Sequence, residues 1–587
     1  MRKRSVFIGA CLLFFVTGVM AQYPRGYFRN PLDIPMQLVT NFGELRTDHF
    51  HMGLDIRTQQ RENLPVYAAA EGYISRVEIE EGGYGRCLYV THPNGFTTIY
   101  AHLNDFFPQL QQYVKDKQYK EEQWEQSIEL DPGLFPVQKG SFIAYSGNTG
   151  ASQGPHLHFE IMETASWKRI NPLLFDFEVA DDKKPFINRF FVYDRNYSTY
   201  STKPKEISIK NTGSIYTTKD SIVEIPSNKI SFGFFGEDMG NTSSFRYGIY
   251  ETELWVDSIK KFSYKLDGFD YKESRYMNAC VDYKTKYERG NYIKHLSILP
   301  GNDLNIFDRK AGDGVIHLTD TLPHSVHLIA RDEFGNESVL QFHYVWKPAA
   351  YQPLFFTQQT IPFKPNESNY YEAENINISL PDNALYDTVS FFYAARTDAG
   401  KTVHQLHNGT VPLQEPYIVV MSNQKFSTPS KVLMYLSNNR YRQILKPAYK
   451  GNGFYESSFN QFGNLSLLQD EVIPVITTSG WRKDKLFAQE GTLRIKATDN
   501  IGGIQKFRGE LDGKWILFEK KGSIFTYRFD EKCSLGKHEL KIIAEDAVGN
   551  KSIRTYNFEL REKLPVVKKK KKVVKKKKNG NTSKRKR

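Results

Sequence analysis

Cysteine is scarce in this chain of 587 residues: there are four, and one of them, Cys11, sits in an apolar N-terminal stretch. The other three, Cys87, Cys280 and Cys533, are odd in number and far apart. That excludes a disulfide framework, so stability must come from burial. Long hydrophobic runs are missing as well. After the first 21 residues no segment approaches the roughly 20 apolar residues that cross a bilayer as a helix, so no transmembrane segment is expected once the leader is removed. A net positive charge, finally, is absent from the body. The formal charge is +13, but Arg561 to Arg587 alone is net +14 and the leader adds +3, leaving about −4 for everything between. The basicity belongs to a tail.

The ends carry their own signals. Met1 to Ala21 has a basic start (Arg2, Lys3, Arg4), an apolar run from Val6 to Val16 and small residues at Val19-Met20-Ala21, the pattern of a secretory signal cleaved before Gln22. Ile8-Gly9-Ala10-Cys11 faintly resembles a lipoprotein site, but cleavage there would strand Leu12 to Val19 on the mature side. Export to a periplasm or cell envelope is therefore the expectation. The tail, with lysine at 568–572 and 575–578 and a Lys584-Arg585-Lys586-Arg587 end, cannot bury enough apolar surface to fold. It is either a solvated appendage or an adhesive for an anionic envelope polymer or membrane surface. Export makes nucleic acid the poorer partner.

The body reads as all-β. Short strand-like runs, Val66 to Ala70, Ile74 to Ile79 and Cys87 to Thr91, are separated by glycines, and His92-Pro93-Asn94-Gly95 marks a hairpin before Phe96 to Ala101. Between Asn104 and Phe135, Phe106, Leu110 and Tyr113 recur at helical spacing, which predicts an inserted helical element. Strand character returns at Ser141 to Tyr145, and Gly147-Asn148-Thr149-Gly150 forms a tight loop.

Beyond Asp181 the chain repeats itself. Asp238, Asp332, Asp499 and Asp546 each close a strand with alternating small or apolar positions: Phe232, Phe234, Gly236; Val326, Leu328, Ala330; Leu493, Ile495, Ala497; and Leu540, Ile542, Ala544. Such alternation puts one face of a strand in a core. A glycine turn follows each, clearest at Gly335-Asn336 and Gly549-Asn550. The Asp is expected to cap that turn through backbone hydrogen bonds. No carboxylate cluster accompanies it in sequence, so calcium is not the expected reading. The paired copies predict immunoglobulin-like β-sandwiches over 181–348 and 475–560, with a third β-rich domain at 349–474 between them and a disordered tail at 561–587. Their expected role is spacer or partner-binding scaffold.

The chemistry is concentrated at the front. Six of 14 histidines lie between His49 and His158. On a strand, residues two apart share a face about 7 Å apart, so His156 and His158 point the same way. One can ligate a metal while the other addresses a water or substrate oxygen. Glu160 continues that face, either to orient a ligand or, more commonly, as a strand-edge charge. On a straight strand His51 and Asp55 would be about 13 Å apart, too far to share a metal. The chain must bend between them, and Gly53 is the residue expected to permit it. His49 is a rival to His51, and His92 at its hairpin reads as structural.

Three segments together, His51-x-Gly53-x-Asp55, Tyr100-Ala101-His102-Leu103 and Gly154-Pro155-His156-Leu157-His158-Phe159-Glu160, closely resemble the lysostaphin-type zinc metallopeptidases that cleave peptidoglycan peptides. Phe42-Gly43 and Ser146-Gly147-Asn148-Thr149-Gly150 also fit, and the resemblance covers roughly Asn41 to Ile161. It implies an antiparallel β metallopeptidase domain over 22–180, with the helical insertion at about 104–135. It implies Zn2+ held by His51, Asp55 and His158, and a catalytic pair in His102 and His156, with the roles of the two undivided. The implied activity is hydrolysis of peptide cross-links in peptidoglycan. Two rival readings are a metallopeptidase of envelope proteins and a non-catalytic scaffold that activates another wall hydrolase. The insertion is longer than the family's usual link, and as it comes soon after His102 it either walls the cleft or decorates the periphery.

Overall fold

The computed structural model describes residues 23–564 except 214, 242–243, 349–358, 424–425, 479–480 and 482–484. The leader and the lysine runs of the tail lie outside the described residues. The all-β expectation holds. Among the described residues only two α-helices, Pro108–Glu121 and Tyr283–Arg289, interrupt a succession of strands, and no helix is long and apolar enough to cross a membrane.

The N-terminal strands are β1 (Leu38–Thr40), β2 (Leu54–Arg57), β3 (Pro65–Tyr67), β4 (Gly72–Ile79), β5 (Arg86–Thr91), β6 (Phe96–Ala101), β7 (Leu103–Phe106), then helix α1 (Pro108–Glu121), β8 (Gln126–Glu129), β9 (Pro136–Val137), β10 (Phe142–Ser146), β11 (His156–Glu163) and β12 (Arg169–Ile170). The main sheet runs β1-β2-β11-β6-β5-β4-β8, and β3-β10-β7 form a smaller one. β11 is central, and from Leu157 to Met162 every residue is buried, as expected of a strand covered on both faces. Tyr100, Leu103, Leu157, Phe159 and Ile161 belong to the core beneath it.

The insertion is only partly helical. Pro108 opens α1 at a position where a missing N–H costs nothing, and Leu110, Val114 and Gln118 form its buried stripe. Tyr113 is exposed, so the apolar spacing that suggests a helix is right about α1 and wrong about its face. Gln126–Glu129 alternates buried and exposed, a two-residue period that makes it a strand. It pairs with β4, at the sheet edge remote from β2 and β11. The insertion's strand thus extends the sheet and does not wall the site.

After β12 the sheet does not stop. Arg169 and Ile170 pair with Phe269 and Gly268, which lie within the first sandwich. That sandwich has one sheet built on Phe186–Asp194 and Lys229–Glu237 and another on Glu337–Trp346, His324–Arg331 and Glu251–Val256. Its core holds the alternating residues Phe232, Phe234, Val326, Leu328 and Ala330, and also Phe42, Phe50 and Met52 from the loop ahead of β2. The Phe50 and Phe269 rings are 5.2 Å apart at their centroids. Residues 360–470 contribute two five-stranded sheets around a common core. From Ile473 a second compact unit begins, with Leu493, Ile495, Leu540 and Ile542 at its centre. Three of the four repeated aspartates cap their turns: Asp332 Oδ1 accepts from the Phe334 and Asn336 amides, Asp499 Oδ2 from the Ile501 amide, and Asp546 Oδ1 from the Asn550 amide.

The first sandwich is therefore part of the wall behind the His51 loop. Phe50→Ala removes a side chain only 3% exposed, and the expected loss is about 3–5 kcal/mol. Urea unfolding of the full chain should show it, together with weaker metal retention. Unchanged retention in a destabilised variant would mean that the loop is held by other contacts.

Candidate metal centre

Register brings the distant motifs together. β11 lies between β2 and β6, with His158 opposite Asp55 on one side and opposite Ala101 on the other. His51 stands before β2 on the loop that folds back through two main-chain hydrogen bonds, Gly43 N to His51 O and His51 N to Glu44 O, each 2.8 Å. The expected bend is present, though Gly53 serves it differently. Its φ is not among the positive ones. A Cβ there would meet the Phe159 carbonyl at 2.4 Å, so the glycine permits close approach of β11 and not an unusual backbone angle.

His51, Asp55 and His158 present ligand atoms within 4.8 Å of one another, all from buried residues. His51 Nε2 is 3.0 Å from Asp55 Oδ1 and 3.1 Å from His158 Nδ1, and His158 Nδ1 is 2.9 Å from Asp55 Oδ1. The opposite ring nitrogens are engaged elsewhere. His51 Nδ1 donates to the Asn41 carbonyl at 2.7 Å, and His158 Nε2 donates to Glu160 Oε1 at 2.8 Å. Such partners fix the tautomer and leave Nε2 of His51 and Nδ1 of His158 as donors toward a cation. Two imidazoles and one carboxylate are the donor set of an open, catalytic type of zinc site, so these residues fit the metal.

Glu160 is no strand-edge charge. It is fully buried and also accepts from the Tyr84 hydroxyl at 2.6 Å and Arg169 Nε at 3.0 Å. Burial pushes its carboxyl up, but Arg169 and His158 outweigh that and hold it at about 2. Asp55 is likewise held well below the usual carboxylate range, against its burial, by His51, His156 and His158. Its second oxygen accepts from Thr40 Oγ1 and from Arg46 Nη2, both at 2.9 Å. Burial lowers the His158 imidazole, yet Asp55 and Glu160 override it and raise it to about 9. Without a metal, a proton on His158 takes the place of positive charge between two carboxylates.

His102 and His156 face each other beside this triad, ring centroids 4.7 Å apart. His102 is the single residue between β6 and β7 and sits at φ 59°, a left-handed conformation uncommon for a residue with a side chain. Its amide donates to the Tyr84 carbonyl at 2.9 Å and its Nδ1 to the Thr149 carbonyl at 2.9 Å. His156 Nδ1 donates to the Gly154 carbonyl at 2.8 Å, and its Nε2 is 3.4 Å from Asp55 Oδ1. The His102 Nε2 is left for chemistry, and the His156 Nε2 faces Asp55. Burial first, and the neighbouring His158 and His156 next, push His102 down to about 3, so it is neutral at ordinary pH.

The other two histidines lie elsewhere. His49 is exposed and pairs with Asp48. His92 bridges the Glu71 carbonyl and Thr98. Tyr84, Arg46 and Arg169 are not expected from sequence, because the fold and not a short spacing brings them to the site.

Residues 49–119 match the model of Peptidase family M23, and residues 360–470 match that of the Zu5-like domain. An "Uncharacterized metalloprotease" of Haemophilus influenzae is 30% identical over 155 residues, 25% of this chain and 27% of that protein. The "DD-carboxypeptidase/endopeptidase Mpg" of Neisseria meningitidis is 34% identical over 137 residues, 23% of each chain. The match thus spans about a quarter of the length of these relatives. Among solved structures, the catalytic domain of the M23 protein EnpA from Enterococcus faecalis is 20% identical, covering 25% of this chain and 96% of that one with a TM-score of 0.19. The catalytic domain of lysostaphin from Staphylococcus simulans is 23% identical, covering 23% and 87% with a TM-score of 0.18.

The metal-free chain should report the proton on His158 directly. Its imidazole is raised from the ordinary 6.5 to about 9, so its contribution to stability is complete below pH 6.5 and lost as pH rises through about 9. Metal loading near pH 7 should displace about one proton per site, read by titration calorimetry in buffers of different ionisation enthalpy. Glu160→Gln should weaken metal affinity by about 10–100-fold; unchanged affinity would mean that Glu160 does not orient His158.

Proposed function

Because its N-terminal domain is a Peptidase family M23 domain, we propose that this chain is an exported zinc metalloendopeptidase that hydrolyses peptide cross-links of peptidoglycan. The observation that carries the reading is the convergence of His51 Nε2, Asp55 Oδ1 and His158 Nδ1, with two further imidazoles beside them whose Nε2 atoms are free of backbone partners. The endopeptidase name of the Neisseria relative and the cell-division name of a Caulobacter relative, 28% identical over 137 residues, support a wall substrate.

His51, Asp55 and His158 would hold the zinc. When bound, zinc supplies Lewis acidity, polarising the scissile carbonyl and bringing a water's pKa toward neutrality. The remaining work falls to the chain. Of His102 and His156, one accepts a proton at Nε2 and the other serves as the acid. His156, its Nδ1–H fixed on the Gly154 carbonyl, can present a protonated Nε2 to the developing oxyanion or the leaving amine. The two roles are interchangeable on this geometry. The basic tail would hold the enzyme at an anionic polymer or membrane surface, and the leader would deliver it to the envelope.

Mass spectrometry of muropeptides released from purified sacculi by the zinc-loaded chain tests the reading. New monomeric peptides are expected, absent with His158→Ala or a chelator. His102→Ala and His156→Ala should each lower kcat by about 10²–10⁴-fold while the zinc is retained. Cleavage of an unfolded protein but not of sacculi would replace the wall substrate with a protein one, and zinc binding without cleavage of either would favour the activator reading.

A further inference from the structure

The repeated aspartates do more than cap turns. Asp238 and Asp332, which close facing strands of the first sandwich, meet Asp181 of the incoming linker, and one carboxylate oxygen from each lies within 4.8 Å of the other two. Calcium–oxygen bonds of about 2.3–2.6 Å allow two ligands of one ion to stand no farther apart than roughly 5 Å. All three separations meet that limit.

A second observation is independent of the clustering. Asp238 is 1% exposed, and its Oδ1 is buried without a hydrogen-bond partner. A buried carboxylate oxygen left unpaired is costly, and a native fold tolerates it where something else supplies the counter-charge. Among the described residues the buried Lys294 supplies this only at a distance, lowering Asp238 by less than burial raises it. Lys183, two residues along the linker, directs its ammonium to the Gly240 carbonyl at 3.0 Å. Asp181 Oδ1 accepts only the Lys183 amide, at 3.1 Å. Asp332 Oδ1 is taken up by the Phe334 and Asn336 amides, whereas Oδ2 accepts a single bond, from Asn336 Nδ2 at 2.8 Å. The same amide group reaches the Asp181 carbonyl at 3.2 Å. Burial, reinforced by the neighbouring carboxylates, pushes Asp181 up to about 6 and Asp238 up to about 7, consistent with negative charge short of a counter-ion.

We propose that Asp181, Asp238 and Asp332 bind a calcium ion that pins the linker after the peptidase strands to the first sandwich. The donors are all oxygen, which suits a hard cation and not zinc. Carboxylate oxygens and water complete the shell. The site is distinct from the metal centre at His51 and stands whether or not the peptidase reading holds.

Calcium titrated calorimetrically into the zinc-loaded full chain in calcium-free buffer tests this, with thermal unfolding in parallel. Asp499 and Asp546 also offer oxygens within 4.8 Å of each other, so the readout is the difference between wild type and variant, not the total stoichiometry. Wild type should bind with Kd of about 10⁻⁴–10⁻³ M, as extracellular modules do, and its melting should rise by roughly 2–6 °C at 10 mM calcium. Asp238→Asn should lose one equivalent and much of that rise, yet melt in calcium-free buffer no lower than wild type, because the orphan charge is gone. Asp181→Asn, on the partly exposed linker, should lose the same equivalent. An isotherm unchanged in both variants, no calcium-dependent rise in wild type, or equal destabilisation of Asp238→Asn with and without calcium would overturn the site.

Discussion

One carboxylate oxygen organises the front of this molecule. Asp55 Oδ1 lies 3.0 Å from His51 Nε2, 2.9 Å from His158 Nδ1 and 3.4 Å from His156 Nε2. A buried carboxylate must be paired or it does not stay ionised. Here one oxygen faces the imidazoles, and the other is closed off by Thr40 and Arg46. The pairing of β1 with β2, the fold-back of the His51 loop and the register of β11 all serve to satisfy that one group. A positive charge must sit among these atoms, and a metal or a proton on His158 can provide it. The two states compete for one place, which is why metal binding and protonation are coupled.

Around that centre each ring is oriented by its far nitrogen. Asn41, Glu160, Thr149 and Gly154 each hold one imidazole, and three of the four partners are backbone carbonyls. Main chain makes a firm support because it cannot swing to another rotamer. The exception, Glu160, is fixed instead by burial and by Tyr84 and Arg169. Arg169 belongs to β12, the strand that continues the sheet toward the sandwich. Orientation of His158 is thereby tied to the junction between the peptidase strands and the first sandwich.

Much of this is readable from residue order. Period-two alternation finds the strands ending at Asp238, Asp332, Asp499 and Asp546, because a two-sided strand leaves its mark in every second residue. The histidine motifs mark the five site residues, because their spacings are short and local. What spacing does not carry is anything decided by register across strands. Glu160 reads as an edge charge until β12 and Tyr84 are seen to cover it. Gly53 looks like a hinge until the Phe159 carbonyl is found against it. The α1 stripe is misplaced by Tyr113, whose ring suggests a core position that Val114 occupies instead. The meeting of Asp181 with Asp238 and Asp332 is invisible for the same reason: each is solitary in sequence, and only the sandwich brings them together.

The sandwich also reaches the metal centre through polar contacts. Glu333, the residue after Asp332, accepts from Asn41 Nδ2 at 3.2 Å and from Asn171 Nδ2 at 3.1 Å. Asn41 in turn is clamped on both sides of its amide by the Gly248 backbone, and its own carbonyl orients His51. A turn of the sandwich is thus two hydrogen bonds away from the His51 ring, although almost three hundred residues separate them in the chain. Buried networks of this kind transmit displacement because each member has one satisfied arrangement and little freedom to find another. Apolar packing alone, with Phe42, Phe50 and Met52 in the sandwich core, would fix where the loop lies. The Glu333–Asn41 contact adds which way its histidine points, and that is the property on which a metal site with an open position depends.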